Sequence, residues 1–200
     1  MNLRKRYKNV YGKGVNDSDY TVYQLINGKR VVCKYYKTWK SMLERCYSDK
    51  YQDIHPTYKG CTACKEWLTF SNFKKWMEKQ DWEGKQLDKD ILIIGNKIYS
   101  PATCIFITHD INLLLTNNKE KRGLYPQGVS LRKDIGMFQS HMKVNGRSKN
   151  LGLSKTPEEA HSVYCKAKAE HIYDIALKQT DFKLMKALIT HGDLHRKELI

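Results

Sequence analysis

A chain of 200 residues has room for one or two small domains, and no apolar run in it reaches the ~18 residues that a membrane span needs. Thirty-six lysines and arginines against 21 aspartates and glutamates leave a formal charge of +15, which suits a polyanionic partner and speaks against a cationic one. The basic start, Met1–Arg6, leads into no apolar stretch, so a secretory signal is not expected. Six cysteines without such a signal fit a reduced cytoplasmic setting.

Residues 1–32 are polar, rich in Tyr and Gly, and read as an N-terminal arm with a hairpin around Asn27-Gly28. Over Tyr36–Tyr47, Trp39, Met42, Leu43 and Cys46 recur at the spacing of an amphipathic helix. A second helix is expected over Glu66–Lys79, with Trp67, Phe70, Phe73 and Met77 on its buried side. Cys61-Thr62-Ala63-Cys64 has the spacing of zinc ligands, and Cys33 and Cys46 could complete a structural four-thiolate site; core packing is the competing reading. Residues 87–118 then read as strand, loop, strand and helix, with Thr108 as the helix cap. That layout would bring Asp88, at the end of the first strand, near Asn112, one turn into the helix. A carboxylate and an amide oxygen can share a hard cation such as Mg²⁺ or Mn²⁺, with water filling the remaining positions.

A polar connector at 119–124 divides this 33–118 region from the C-terminal part of the chain. Beyond it the hydrophobic period shortens to two. Val129–Arg132, Met137–Val144 and Arg147–Leu153 are expected as strands, turning at Asp134-Ile135-Gly136 and Asn145-Gly146. Thr156-Pro157-Glu158-Glu159 opens a helix: Thr caps it, Pro takes the first helical position, and two acids sit in the positive first turn. Its buried face is expected to hold Ala160, Val163, Tyr164, Ala167 and Ile172. The segment 179–200 reads as a further short helix and a tail.

Alternation gives the sheet two faces. Val129, Leu131, Phe138, Ser140, Met142 and Val144 turn toward the helix; Ser130, Arg132, Gln139, His141, Lys143, Ser148 and Asn150 turn away. From Arg122 to Lys155 there are seven basic residues, Arg147 and Lys149 among them, and Asp134 is the only acid. A face of that charge suits phosphates and base edges.

Tyr125-Pro126-Gln127-Gly128-Val129-Ser130, Gly136-Met137-Phe138, Val144-Asn145-Gly146, Leu151-Gly152 and Thr156-Pro157-Glu158-Glu159-Ala160 together resemble an AP2/ERF DNA-binding domain over 125–178. The resemblance implies a sheet that enters the major groove of double-stranded DNA. The family's contact positions fall on Gln127, Ser130, Arg132, Ile135, His141, Lys143, Ser148 and Asn150. Several arginines and a tryptophan of the plant members are absent there, and an Arg or Lys on guanine carries roughly 1–3 kcal/mol of discrimination. Modest sequence specificity is therefore expected, with Arg132 and Lys143 as the base readers.

Leu87-Asp88-Lys89, Gly95-Asn96-Lys97, Tyr99-Ser100-Pro101, Cys104 and His109-Asp110-Ile111-Asn112 are similar to the ββα-metal (HNH, His-Me finger) nuclease motif. Trp39, Arg45-Cys46-Tyr47, Cys64, Trp67, Phe70, Phe73 and Trp76 match the pattern that precedes this motif in phage homing-type endonucleases, some of which carry an AP2 domain. The resemblance implies Asp88 and Asn112 as ligands of Mg²⁺ or Mn²⁺, and Asn96 as the residue that orients the general base. The base is a His in the family, but Lys89 stands in its place, so Lys89 is a base, a phosphate clamp or a relic, with His109 as a substitute base. The overall expectation is an α+β chain: a helical, ββα-metal-like N-terminal and central region, then an AP2-like three-stranded antiparallel sheet on one helix. Its function would be metal-dependent DNA cleavage in the host cytoplasm, or DNA binding alone on a degenerate nuclease scaffold. An RNA partner fits the surface less well, because A-form RNA closes its major groove to side chains. Neither a membrane nor a small-molecule cofactor is indicated.

Overall fold

The computed structural model describes residues 8–116 and 123–197 and is a mixed α and β chain with small sheets. Most of the 119–124 connector and the last residues of the tail lie outside the described residues. Contacts divide the chain into two compact units, 1–108 and 109–200. No helix among the described residues is long and apolar enough to cross a membrane.

The first unit opens with two hairpins, β1 (Lys8–Val10) with β2 (Gly14–Asn16), and β3 (Tyr23–Ile26) with β4 (Lys29–Val32). The second turns at Asn27-Gly28, both at positive φ as such a tight turn demands. Helix α1 (Lys34–Tyr47) buries Tyr36, Trp39, Met42, Leu43 and Cys46, the stripe its spacing predicts. Next along the chain come α2 (Asp49–Ile54), β5 (Thr62–Ala63) and α3 (Phe70–Met77). Trp39, Trp67, Phe70 and Phe73 are at most 1% exposed, and the indole of Trp39 donates to the carbonyl of Trp67 at 2.7 Å, so this aromatic core carries no orphaned indole N–H at Trp39.

The helix expected over Glu66–Lys79 is broken. Lys65–Leu68 is a 3-10 turn, Thr69 is extended, and α3 begins at Phe70. The cause is tertiary. The backbone of Thr69 bridges to Val15, and the Asp17 carboxylate accepts from the amide (2.9 Å) and hydroxyl (2.6 Å) of Ser71. These bonds reward an interruption where the local pattern asks for continuity. The unit closes with β6 (Gln86–Asp88), β7 (Ile98–Tyr99) and β8 (Ile105–Ile107); β6 and β8 pair antiparallel, while β7 pairs parallel with β5.

In the second unit, α4 (His109–Leu115) precedes β9 (Val129–Arg132), β10 (Met137–Val144) and β11 (Arg147–Ser154). The last three form an antiparallel sheet with β10 in the centre. Helix α5 (Pro157–Ala176) covers one face, and α6 (Phe182–Lys197) packs along α5. Thr156 and Glu159 close a full capping box at the start of α5, each side chain serving the other's backbone N–H. The buried side of α5 is wider than its sequence suggests. Cys165, Lys168, Ala169 and Ala176 are buried, while Val163 is exposed. The reason is α6, longer than the short helix expected, which covers a second flank of α5. Burial pulls the Lys168 ammonium down to about 8.

Candidate nucleic-acid interface

The pairing register determines which side chains share a face. Gln139 stands opposite Ser130, and Met137 opposite Arg132; across the other edge, His141 stands opposite Asn150 and Lys143 opposite Ser148. Paired residues in an antiparallel ladder point the same way. Ser130, Arg132, Gln139, His141, Lys143, Ser148 and Asn150 therefore lie on one face, the one turned from α5. On the opposite face Ser140 and Met142 are buried, and Met142 packs with Tyr164 and Cys165 of α5.

A β-bulge between Ser140 and His141 interrupts this ladder. On β11 the residue left over is Leu151, which packs against the Met142–Tyr164–Cys165 cluster. Past the bulge, Leu153 comes opposite Gln139 and joins the outer face. Arg147 and Lys149 pair with Val144 and Met142, which puts them on the helix side by register; as residues of an edge strand both stay exposed. Ile135 sits half-exposed in the β9–β10 turn. The carbonyl of Gln127 accepts from Nδ1 of His161 at 3.0 Å, which ties the Tyr125–Gly128 segment to α5.

Arg132 is already engaged. Its Nε donates to Oδ1 of Asp134 at 2.8 Å and its Nη2 to Oδ2 at 2.6 Å, a two-pronged pair across the turn. These hydrogen bonds hold the Asp134 carboxyl below its usual range and the guanidinium above its own. The fork that could grip a guanine is thus filled by an acid from the same turn. Both groups are open to solvent, where such pairs are weak and are exchanged for a phosphate or a base at little cost. Among the basic groups of the outer face, Lys143 stands without an ion pair among the described residues.

In the first unit the residues around the end of β6 form a braced loop. Oδ1 of Asp88 accepts from the amides of Asp90 (3.0 Å) and Ile91 (2.7 Å), turning the chain sharply after the strand. The Asn96 amide donates to the carbonyls of Lys89 (2.6 Å) and Ile98 (2.7 Å), and its oxygen accepts from the amide of Ile98 at 3.2 Å. Asn96 thus fixes the backbone at Lys89 and Ile98. Lys89 itself is buried, with its ammonium 3.1 Å from the Asp90 carboxylate and Tyr58 and Cys61 in its neighbourhood. The ion pair ties Lys89 to its neighbour in the same loop. Burial, and then the charge of Asp90, push the Asp88 carboxyl above its usual range. His109 and Asn112 lie in the other unit, on α4.

All six cysteines are free thiols. Cys46 and Cys61 are buried in the aromatic core, and burial pushes the Cys46 and Cys104 thiols up to about 12 each. Cys33 lies 3.8 Å from the Tyr20 hydroxyl. No three His, Cys, Asp or Glu side chains among the described residues are grouped to hold a metal ion; Cys46 packs within the α1 stripe, and Cys64 lies against the same aromatic core. Compared with protein-family models, curated proteins and solved structures, the chain matches none.

Proposed function

We propose that this chain binds double-stranded DNA through the outer face of the β9–β10–β11 sheet. The observation that carries it is the register: one solvent-facing sheet surface gathers Arg132, His141, Lys143, Gln139, Ser148 and Asn150, with Asp134 as the only acid from Gly123 to Lys155. Hydrogen-bonding side chains among cations are what phosphate positioning and groove contact require. The resemblance of 125–178 to AP2 domains supports the same reading and supplies the major groove as the place of contact. Because Arg132 is shared with Asp134, Lys143 would be the principal cation of the face, and binding would depend more on backbone charge than on base sequence.

A second reading, cleavage, draws on the braced loop. The Asp88 carboxylate at the end of β6, in a loop braced by Asn96 on the Lys89 carbonyl, would bind a divalent cation, since one carboxylate with waters and substrate phosphate suffices for Mg²⁺. Such a cation would polarise a scissile phosphate and stabilise the leaving oxygen. Asp88 would anchor it, and Asn96 would keep the loop open to the phosphate.

The binding proposal is tested by fluorescence anisotropy on a short duplex over a salt series. Lys143→Ala is expected to weaken binding and to flatten the slope of log K against log salt by about 0.9, one phosphate contact. Lys183→Ala, an exposed change on α6, should leave both unchanged. Equal effects of the two variants would remove the sheet face from the account.

A further inference from the structure

The β3–β4 ribbon of the first unit is solvated along both of its faces. Leu25 is 79% exposed, Ile26 48% and Val31 43%, and Gln24, Lys29 and Arg30 are exposed as well. An isolated two-stranded ribbon is marginal in water, so its shape here is held from its base. Val22 is buried in the aromatic core, the Cys33 amide donates to the Val22 carbonyl at 2.9 Å, and Tyr23 packs edge-on against Tyr36 at 5.7 Å. At the other end the Asn27-Gly28 turn sets the register Leu25 to Arg30 and Ile26 to Lys29. Each of these two pairs sets one aliphatic and one basic residue side by side, Leu25 with Arg30 on one face and Ile26 with Lys29, next to Val31, on the other. Arg30 lies over the Tyr23 ring, 4.0 Å from its centroid, which fixes the direction of its charge.

We infer that this ribbon is a second contact with DNA, entering a groove of the duplex, and the inference rests on the DNA-binding reading above. Charge argues for the occupant. Between Asp19 and Glu44 the sequence holds five basic residues, Lys29, Arg30, Lys34, Lys37 and Lys40, and no acid. Lys34 has a nearby carboxylate, Glu83, at 3.9 Å. Size agrees: four residues per strand reach about 13 Å at ~3.3 Å each, and a major groove ~12 Å wide and ~8.5 Å deep admits a two-stranded ribbon. Lys29 and Arg30 would meet phosphates or base edges, while Leu25, Ile26 and Val31 offer apolar contact to thymine methyls. Charged residues on an exposed strand edge oppose pairing with a second copy of the chain.

The test is the double variant Lys29→Ala/Arg30→Ala in the full chain, beside Lys143→Ala, with duplex DNA over a salt series. Thermal melting checks that each variant folds. The ribbon variant is expected to bind roughly tenfold more weakly at low salt, with a slope flatter by about 1.8, two phosphate contacts. If Lys143→Ala weakens binding and the ribbon variant matches the wild type, the ribbon inference falls and the sheet reading stands. If the wild type does not bind duplex at all, both fall. Ribbon-dependent binding to phosphatidylserine vesicles, or ribbon-dependent dimerisation by light scattering, with DNA affinity unchanged would also overturn it.

Discussion

Gly128→Ala is expected to cost about 2–5 kcal/mol, a large share of the stability of a small domain. Two penalties add. Gly128 has φ of +78°, where a side chain costs about 1–2 kcal/mol. A Cβ there would lie 2.1–2.7 Å from ring atoms of Tyr164, and that ring, on the sheet-facing side of α5, is itself buried with Met142 and Cys165. Overpacking of this kind adds about 1–3 kcal/mol. The Gly128 carbonyl also accepts from the His141 amide at 2.8 Å, so pushing the turn away would loosen the backbone that carries His141. Gly146→Ala separates the two penalties. Its φ is +76°, but the space around it is open, so urea unfolding should show a loss of only the backbone penalty, about 1–2 kcal/mol. Equal losses at the two glycines would mean that the packing of Tyr164 on this turn is unimportant.

Asp88→Asn is expected to stabilise the first unit at neutral pH while removing any response to divalent metal. An asparagine oxygen can still accept from the Asp90 and Ile91 amides, so the turn survives. The charge, however, is gone. The Asp88 carboxyl is raised by burial and by Asp90, so its contribution to stability is full below about 4, the ordinary carboxylate range, and is lost as pH rises through the folded-state value. Wild type and variant should therefore melt together in acid and diverge toward pH 7, the variant being the more stable; each kcal/mol is about 2–4 °C in a chain of this size. Added Mg²⁺ or Mn²⁺ should raise the melting temperature of the wild type alone, and nicking of supercoiled plasmid, where the wild type shows it, should be absent from the variant. A variant that melts lower at pH 7, or gains as much from metal as the wild type, would contradict the assignment of Asp88.

The sheet is readable in the sequence because its signals are local. Asn145-Gly146 between alternating runs fixes one hairpin, and Thr156-Pro157-Glu158-Glu159 fixes where α5 begins; the strands differ from expectation only in that β11 runs on to Ser154. The features hidden from the sequence depend on residues that meet across strands or turns. The bulge that turns Leu151 inward needs the positions of β10 and β11 together. The grip of Asp134 on Arg132 needs the actual course of a turn, and it lowers the number of cations free on the face. Thr69 breaks a helix for the sake of Val15, far earlier in the chain. Lys89 reads as a chemical residue from its place in a motif, yet its burial with Asp90 is a packing fact that no spacing announces. The Cys61–Cys64 spacing suggests a ligand pair, and the packing of Cys61 in the aromatic core and of Cys64 against it is not visible in that spacing.

The sheet face is tested most directly by removing one negative charge in two different places. Asp134→Asn releases the Arg132 fork on the outer face, whereas Glu170→Gln makes the same change of charge at an exposed position on α5, which covers the opposite face. Duplex binding over a salt series should show Asp134→Asn binding more tightly, with a slope steeper by about 0.9, and Glu170→Gln tracking the wild type. Identical curves for the two variants, or no binding of duplex by any of the three proteins, would contradict the account.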